Sequence, residues 1–459
     1  MMTGARANVV EAIGHTPIVK LNKVAAHVKS EIYVKMEFLN PGGSMKDRVA
    51  LNIIKDAERK GLLGPGSTII EATSGNTGAG LALVGAIHGY KCIFVMPDKM
   101  SSEKIATLRA FGAKVVICPT AVEPEDPRSY YEVTKRLVRD TPNSFHSNQY
   151  HNPANPEAHY VSTAPEIWDQ TKGELDVFVA GMGTGGTISG CGRYFKEQKP
   201  GFQIVGVDPI GSLYYEYVKT GRLTKPFSYY VEGIGEDFLP GTMNLKIVDS
   251  IVRVDDKECF MMTRELVRQE GIFCGGSSGA AVAGAIKYAE QIGSVKKNIL
   301  VLLPDSSQKY LSKIFDDEWM RANGFLEEED PLGTVRDLLQ QKRQRAIISV
   351  KRGDSLKDVV GLMKEHSISQ VPVLDKGRLS GLVSELDLLN CLLKNPGQME
   401  KSIDDLVEAD YAAVTADTKI KLLRSIFNEA KVVCVLDRDE LVGVITKIDL
   451  IEYLASRHG

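Results

Sequence analysis

One lysine, Lys46, stands where a lysine is unusual. It follows residues 40–45, Asn-Pro-Gly-Gly-Ser-Met, whose proline and glycines cannot continue a helix. Ser44 and Asp47 have the spacing of a helix N-cap pair, and apolar residues follow, so a helix is predicted with Lys46 in its first turn. The helix dipole disfavours a charged amine there and lowers its pKa. Lys46 is therefore either a solvated lysine beside a helix cap or a nucleophile that must be neutral.

Three other segments combine glycine with hydroxyl side chains at predicted helix starts. They are Glu71–Gly78 (Glu-Ala-Thr-Ser-Gly-Asn-Thr-Gly), Gly181–Thr187 (Gly-Met-Gly-Thr-Gly-Gly-Thr) and Phe273–Gly279 (Phe-Cys-Gly-Gly-Ser-Ser-Gly). Backbone N–H groups and hydroxyls at a helix N-terminus bind phosphate or carboxylate groups. An ordinary helix cap is the alternative for each segment, most strongly for the third. A reactive lysine together with a site for one phosphate suggests pyridoxal phosphate.

The second of these segments also fits a different cofactor. Gly181, Gly183 and Gly186 form Gly-x-Gly-x-x-Gly after a predicted strand, and Asp208 follows Gly186 by 22 residues. This spacing satisfies the dinucleotide-binding fingerprint, so a nicotinamide-dependent oxidoreductase is an alternative on these residues. That alternative leaves Lys46 without a role.

Composition excludes several classes of protein. The chain has 459 residues and a net charge of −3, with no basic stripe for nucleic acid, and its apolar runs are too short to span a membrane. The seven cysteines are scattered and never form Cys-x-x-Cys, which argues against a disulfide framework or a metal site. We therefore expect a cytoplasmic protein without nucleic-acid or membrane partners.

Two regions of the chain differ in pattern. Up to about residue 320, helical patterns alternate with short apolar runs, which predicts an α/β fold with mostly parallel sheets. The predicted strands are Ile32–Met36, Thr68–Glu71, Lys91–Met96, Lys114–Ile117, Val177–Ala180, Ile204–Asp208 and Asn298–Leu303.

The rest of the chain is an internal repeat. Val371–Asp375 matches Val433–Asp437, and Leu379–Asp387 matches Leu441–Asp449, each copy reading helix, strand, turn, strand, helix. We predict a core over residues 1–322, an acidic linker over 323–333 and a repeat domain over 334–459. Its copies would span about 334–395 and 400–456.

Together these motifs resemble the cysteine synthase / cystathionine β-synthase family, and the repeat resembles a tandem CBS (Bateman) regulatory module. The resemblance implies a tryptophan-synthase-β-like core, fold type II of the pyridoxal-phosphate enzymes. It implies that Lys46 binds the cofactor as a Schiff base and acts on the Cα proton, and that Ser277 faces the pyridine nitrogen. The other cofactor-binding residues it implies are Asn76, Gly183, Thr184, Gly185, Gly186 and Thr187.

The same resemblance implies a lyase of transsulfuration and cysteine biosynthesis that joins L-serine, or an activated serine, to L-homocysteine and forms L-cystathionine. The substrate-binding residues would be Thr73, Ser74, Thr77, Gln149, Tyr150 and Glu236. A cysteine synthase that uses O-acetylserine and sulfide is the first alternative. An adenosyl-ligand sensor with a non-catalytic α/β scaffold is the second.

Two departures from the family pattern bear on these expectations. Glu236 stands where vertebrate and fungal members usually have tyrosine. A carboxylate there either attracts the homocysteine ammonium or marks a shift in preference towards an activated serine or a different thiol. The core begins within about a dozen residues of Met1, so no haem is expected. A homodimer or higher homo-oligomer is expected from the family.

The repeat carries two candidate regulatory sites. Ser384 with Asp387 and Thr446 with Asp449 fit Ser/Thr-x-x-Asp at a strand-to-helix junction. In related modules the aspartate binds ribose hydroxyls of an adenosyl ligand, but a capping box has the same spacing. We expect S-adenosylmethionine or an adenine nucleotide, and we favour the Thr446/Asp449 site.

Overall fold

The computed structural model describes residues 4–98, 100–120, 122–123, 125–327, 332–342 and 347–456. These residues form two compact units, Met1–Glu327 and Glu328–Gly459, and each is described by itself. Residues 328–331 of the predicted acidic linker lie outside the described residues. No helix among the described residues has the length and apolar character that crossing a membrane requires.

The first unit alternates strands and helices along the chain, as predicted. Its strands are β1 (Ile18–Lys20), β2 (Glu31–Met36), β3 (Thr68–Ala72), β4 (Lys91–Pro97), β5 (Lys114–Cys118), β6 (Ser144–His146), β7 (Val177–Gly181), β8 (Gln203–Pro209), β9 (Ser250–Val254) and β10 (Asn298–Leu303). Its helices are α1 (Lys46–Arg59), α2 (Asn76–His88), α3 (Ser102–Ala110), α4 (Tyr130–Asp140), α5 (Ala154–Ala158), α6 (Ala164–Thr171), α7 (Gly186–Gln198), α8 (Tyr214–Thr220), α9 (Asp256–Glu270), α10 (Gly276–Gln291) and α11 (Asp317–Ala322).

The strands form two sheets. One has the order β1-β2-β10-β7-β8-β9 and is parallel except for β1, and the other has the order β5-β4-β3-β6 and is parallel throughout. Every residue of β3 is buried, because helices cover both faces of a parallel sheet. The seven predicted strands are confirmed to within one residue at each end, and β1, β6 and β9 were not predicted.

Close helix packing places the start of α1 beside α2. A Cβ at Gly80 of α2 would lie 2.8 Å from the carbonyl oxygen of Lys46 and 3.0 Å from the Ala50 side chain. Glycine at position 80 therefore lets the two helices approach at the residue that was predicted to do chemistry.

The second unit contains the predicted repeat, with one additional helix before it. Its elements are α12 (Val335–Gln341), β11 (Val350–Lys351), α13 (Leu356–His366), β12 (Gln370–Asp375), β13 (Arg378–Ser384), α14 (Glu385–Lys394), β14 (Ala413–Val414), α15 (Ile420–Glu429), β15 (Val432–Asp437), β16 (Glu440–Thr446) and α16 (Lys447–Ser456). Each copy forms one three-stranded sheet, and both hairpins shift register at the equivalent point, after Val373 and after Val435.

Each copy has its own core, but α12 does not pack with the residues that directly follow it. Val335 and Leu338 of α12 join the core of the second copy with Leu423 and Val433. The core of the first copy takes Ile403 from the segment after α14 instead. The order of segments along the chain therefore does not give the grouping in space.

Candidate active site

A cavity of about 780 Å³ lies in the first unit where the ends of several strands meet the starts of helices. The predicted residues that line it are Lys46, Thr73, Ser74, Asn76, Thr77, Gln149, Tyr150, Gly183, Thr184, Gly185, Thr187, Glu236 and Ser277. Gly186 does not appear among the described lining residues, but it begins α7 between Gly185 and Thr187. The structure thus brings together residues that lie more than 200 positions apart in the sequence.

Lys46 is the first residue of α1, so its predicted position in the first turn is confirmed. The predicted cap is wrong in detail, because Met45 occupies the N-cap and makes no side-chain cap hydrogen bond. The Ser44 hydroxyl accepts the Lys46 N–H at 3.3 Å, and the Asp47 carboxylate instead accepts the Gly42 N–H at 2.5 Å. The glycine turn is thus braced by the helix that follows it.

The environment of the Lys46 amine favours its neutral form. Burial lowers the pKa of Lys46 to about 8, although the carboxylates of Glu236 and Glu71 act in the opposite direction. A lysine with this pKa supplies a useful fraction of free amine near neutral pH, which both a nucleophile and a proton acceptor need.

The loop between β3 and α2 is held by its own side chains and by Gln149. The Thr73 hydroxyl accepts the N–H groups of Gly75 at 3.0 Å and Gly78 at 3.3 Å. The Thr77 hydroxyl donates to Gln149 Oε1 at 2.6 Å, and Gln149 Nε2 donates to the Ala72 carbonyl at 3.2 Å. This pairing fixes Gln149 against the start of α2, where a carboxylate is favoured by the helix dipole.

Asn76 is oriented by two residues that the sequence interpretation did not select. Its Nδ2 donates to Asp305 Oδ2 at 2.8 Å, and Lys309 Nζ donates to its Oδ1 at 2.7 Å. The Tyr310 hydroxyl also donates to Asp305, at 2.6 Å. Nothing in the spacing of the stretch from Asp305 to Tyr310 indicates that it reaches back to Asn76.

Residues 183–187 wrap around the start of α7. Gly185 is its N-cap, with φ +83, and a Cβ at Gly186 would lie 2.0 Å from Asn155 Oδ1, so glycine is required there. The first N–H groups of a helix have no partner inside it, and here they stand beside the hydroxyls of Thr184 and Thr187 at the cavity. This donor set fits one phosphate group, as pyridoxal phosphate presents.

The dinucleotide alternative loses its acidic residue. Asp208 is buried at the end of β8, where its Oδ2 accepts the Tyr215 N–H at 2.9 Å, and it is not among the described residues that line the cavity. It therefore organises the start of α8 rather than facing a ribose.

Ser277 lies in the first turn of α10. It is buried and lines the cavity. The turn before it is tight, because a Cβ at Gly275 would lie 2.2 Å from Asp305 Oδ1. A serine hydroxyl can both donate and accept, which suits an unprotonated ring nitrogen.

Residues 226–237, which include Glu236, line one side of the cavity. Glu236 is held through its backbone, whose N–H donates to the Ser212 hydroxyl at 3.1 Å. Earlier in the segment, Glu232 accepts from Lys104 of α3 at 2.6 Å and from Lys313 at 2.7 Å. This ion-pair bridge connects the cavity wall to α3, and the sequence interpretation missed it because the three residues are distant along the chain.

The four predicted regulatory residues lie in the second unit, at the starts of α14 and α16. Asp387 and Asp449 both complete capping boxes, with Ser384 and Thr446 respectively. Lys342 Nζ also donates to Asp449 Oδ2, at 2.7 Å. Burial acts to raise the pKa of Asp449, but the hydrogen bonds from Lys342 and Thr446 outweigh it and hold the pKa below its ordinary value.

Models of two known protein families match the chain. The model of the pyridoxal-phosphate dependent enzyme family matches residues 9–305. The model of the CBS domain matches residues 335–394 and 403–456. The two matches agree with the two units of the structure.

Individual relatives point the same way. Cystathionine beta-synthase of Oryctolagus cuniculus is 40% identical over 98% of this chain and 85% of its own length. Cysteine synthase of Staphylococcus aureus is 42% identical, but it covers only 68% of this chain, with 98% of its own length. The crystal structure of an O-acetylserine dependent cystathionine beta-synthase from Helicobacter pylori superposes with a TM-score of 0.62 at 38% identity, covering 68% of this chain and 99% of that one.

These similarities confirm the predicted fold type, the CBS-type repeat, the pyridoxal phosphate cofactor and the reaction class, β-replacement. The match to cystathionine beta-synthases runs through both units, whereas the match to cysteine synthase covers about two thirds of the chain. The chain therefore belongs to the cystathionine beta-synthase family of pyridoxal-phosphate-dependent enzymes.

Proposed function

We propose that this enzyme joins L-serine, or an activated serine such as O-acetyl-L-serine, to L-homocysteine. A bond forms between the homocysteine sulfur and Cβ of the first substrate, the Cβ–O bond breaks, and L-cystathionine is released with water or acetate. The observation that carries the proposal is a single cavity where a buried lysine of lowered pKa meets a phosphate-type loop and a carboxylate-type loop.

Lys46 has two roles in this proposal. It holds the cofactor covalently, and pyridoxal phosphate when bound supplies the electron sink that makes the Cα proton acidic. The Lys46 amine takes that proton and returns it to Cα after the sulfur has bonded to Cβ. Burial serves the second role, since a charged ammonium cannot accept a proton.

The other cavity residues divide between cofactor and first substrate. We assign the cofactor phosphate to residues 183–187, the ring oxygen to Asn76 and the pyridine nitrogen to Ser277. We assign the substrate carboxylate to Thr73, Ser74, Thr77 and Gln149, and a wall of the pocket to Tyr150. The supporting geometry is the hydrogen-bonded frame that joins the start of α2 to Gln149.

Glu236 bears on the choice of the second substrate. Its carboxylate lines the cavity and acts on the pKa of Lys46, so it lies close enough to affect charge there. An amino-acid thiol brings an ammonium group that this carboxylate attracts, whereas sulfide brings none. We therefore propose that the enzyme prefers homocysteine to sulfide as its second substrate.

A steady-state comparison of substrate pairs tests the proposal. Purified holoenzyme is assayed with L-serine or O-acetyl-L-serine as first substrate, each with L-homocysteine or sulfide. We expect the highest kcat/KM with homocysteine. Turnover with O-acetyl-L-serine and sulfide alone would make the enzyme a cysteine synthase, a second candidate that the 42% identical relative supports.

We further propose that an adenosyl ligand, S-adenosylmethionine or an adenine nucleotide, binds the second unit at Thr446 and Asp449 or at Ser384 and Asp387, and changes the activity. An aspartate carboxylate at a helix start can accept both ribose hydroxyls. We also propose a catalytic core of residues 1–322 followed by a linker of residues 323–333. The protein is proposed to be a cytoplasmic homo-oligomer. Size-exclusion chromatography with light scattering tests the oligomeric state.

A further inference from the structure

Glu71 is a carboxylic acid in an unusual place. It lies in β3, between Ile70 and Ala72, and is only 1% exposed in a strand whose residues are all buried. Removing a carboxylate from water is unfavourable unless it is paired or hydrogen-bonded, so the structure must compensate for it. Its function was not indicated by the sequence, where it merely precedes the Thr-Ser-Gly-Asn-Thr-Gly motif.

The compensation comes from a single turn. The Ser147 hydroxyl donates to Glu71 Oε2, and the backbone N–H groups of Asn148 and Gln149 with the Gln149 side-chain amide interact with the same carboxylate. His146 Nε2 lies 4.0 Å away, but burial lowers the pKa of His146, so this imidazole is not a strong counter-ion. The carboxylate is thus held by hydrogen bonds from residues 147–149.

That turn needs an external support. Asn148 has φ +47, a left-handed conformation that a residue other than glycine adopts at a cost. The turn follows β6, whose three residues pair in parallel with β3, and it leads directly to Gln149 and Tyr150 at the cavity. A carboxylate that accepts several N–H groups of one turn fixes its backbone.

The turn also connects both halves of the cavity. Gln149 accepts the Thr77 hydroxyl at 2.6 Å on the carboxylate side. On the phosphate side, Asn155 Nδ2 donates to the Gln149 carbonyl at 2.8 Å and to the Thr184 hydroxyl at 3.1 Å. A displacement of residues 147–149 would therefore move Gln149 relative to the start of α2.

We propose that Glu71 is a positioning residue for the amino-acid substrate, whose carboxylate holds residues 147–149 so that Gln149 and Thr77 face the substrate carboxylate. Glu71 does not touch the substrate in this assignment and acts through Gln149. The inference rests on the proposed function, because it assigns the substrate-carboxylate site to Thr77 and Gln149.

The charge of Glu71 is sensitive to pH. Burial raises the pKa of Glu71 to about 7, against the hydrogen bonds that favour the carboxylate. A protonated carboxyl group accepts N–H groups less well, so substrate binding should weaken as the pH falls through about 7. The ionisable groups around it, including those across a neighbouring cavity of about 440 Å³, are Lys46, Glu125, Tyr131, Glu132, Lys135, His146, Tyr150, His151, Glu236 and Asp237.

The test compares Glu71→Gln with wild-type holoenzyme. L-Serine and O-acetyl-L-serine are titrated separately without a second substrate, and the change in cofactor absorbance gives an apparent Kd. Glutamine keeps the size but presents an NH₂ group to the N–H donors, so we expect a rise in Kd of roughly tenfold. Because the Glu71 carboxylate also raises the pKa of Lys46, kcat is measured at saturation and at a pH above about 8. There we expect kcat to change by less than about threefold, and cofactor content to stay at the wild-type level.

Three further variants separate positioning from a general structural role. Glu71→Asp keeps the charge and should recover part of the lost affinity. Ser147→Ala removes one donor and should raise Kd by about threefold in the same direction. Glu58→Gln alters a surface carboxylate that accepts from Tyr90 and contacts His88, and should leave Kd unchanged.

The pH dependence supplies a readout that a merely structural residue would not change. Protonation of the substrate amine alone raises the apparent Kd as the pH falls, so Kd is expressed on the concentration of substrate with an uncharged amine. On this basis the wild-type Kd should rise as the pH falls from 8 to 6, and in Glu71→Gln this rise should be smaller. Unchanged Kd in Glu71→Gln, or equal losses in Kd, kcat and cofactor content, would overturn the inference. If Glu71→Gln does not fold, the response of Ser147→Ala decides. A wild type that binds neither amino acid would instead refute the proposed function, and this inference with it.

Discussion

Among single residues, the lowered pKa of Lys46 follows from burial. The sequence suggested that the helix dipole lowers the pKa of its amine, and the structure adds a second cause, loss of water, with which the pKa is about 8. Two carboxylates moderate the effect, so most of the amine is protonated at neutral pH and a minor fraction is free. The lysine is thereby kept near the range in which it can take and return a proton.

Substitution of Lys46 tests its assignment. Lys46→Ala should abolish the visible absorbance that arises from the lysine-bound cofactor and lower kcat by on the order of 10²–10⁴ or more, since covalent binding and proton transfer are both lost. Absorbance spectra and single-turnover assays measure the two effects. The control is Lys55→Ala in the same helix, an exposed lysine whose loss should change neither. Normal absorbance in Lys46→Ala would contradict the assignment.

Glu236 should set the pH dependence of the reaction. Its carboxylate raises the pKa of Lys46, so Glu236→Gln should lower that pKa below about 8. The proposed mechanism requires the neutral amine, and the rise of kcat with pH should therefore occur at lower pH in the variant. We expect a shift of a few tenths of a unit or more, measured from kcat–pH profiles.

Glu216→Gln is a suitable control for this effect, because Glu216 pairs with Arg253 and is not among the described residues that line the cavity. A pH profile of Glu236→Gln that superposes on the wild type would show that this carboxylate does not reach the reacting amine.

At the scale of elements, the site depends on how closely helices approach one another. The start of α1 reaches the cavity because α2 presents Gly80 to the Lys46 carbonyl. The start of α7 reaches it because Gly186 leaves room for Asn155. The N-termini of α2, α7 and α10 converge with that of α1 on one cavity, and their dipoles together favour an anionic cofactor and substrate.

Gly80→Ala tests the helix approach. Alanine has the higher helix propensity, so a loss of stability can only come from the new Cβ, which would lie 2.8 Å from the Lys46 carbonyl oxygen. We expect a loss of about 1–3 kcal/mol and weaker cofactor binding. Thermal unfolding followed by cofactor absorbance reports on the first unit.

Gly361→Ala in α13 of the second unit is the helical control, because its Cβ would meet nothing within 4 Å and should not destabilise. Its unfolding is followed by circular dichroism, since cofactor absorbance reports only on the first unit. Equal stability of Gly80→Ala and wild type would show that α1 can shift without cost.

In the second unit, the position of Asp449 fits both a helix cap and a ligand site. Asp449 completes a capping box and pairs with Lys342, which gives it a structural role already. If it also binds an adenosyl ligand, Asp449→Asn should weaken S-adenosylmethionine binding by tenfold or more in calorimetry. Asp387→Asn is the matched variant in the other copy, and the larger loss identifies the site.

At the scale of the whole molecule, the two units have separate cores. The first unit contains every predicted catalytic and cofactor residue, and the second unit buries its own apolar residues. Regulation through the second unit therefore requires that a ligand has different affinities for two states of the full chain.

Removal of the second unit tests this coupling. A chain that ends at about residue 327 should fold and keep its cofactor, since its core is intact. We expect its activity to become independent of S-adenosylmethionine, measured by steady-state assay beside the full chain. A full chain that does not respond to S-adenosylmethionine, adenosine monophosphate or adenosine triphosphate would contradict regulation by an adenosyl ligand.

Local sequence patterns were sufficient to predict most strands of the first unit, the helix starts at the site and the family. Apolar runs predicted seven strands to within a residue, because a strand covered on both faces must be apolar throughout. Glycine and hydroxyl residues marked the helix starts, because only they satisfy a tight turn and a helix N-terminus at once. The internal repeat and the order of motifs indicated the family.

Contacts between residues far apart in the chain became known only from the tertiary structure. It placed Asp305 and Lys309 on Asn76, joined Glu232 to Lys104 and Lys313, and assigned α12 to the second copy of the repeat. Such partners are chosen by packing between segments far apart in the chain, and no local period records them. The pKa of Lys46 belongs to this group as well. The sequence singled out the lysine, but only burial in the folded cavity gives its amine the lowered pKa that the proposed chemistry requires.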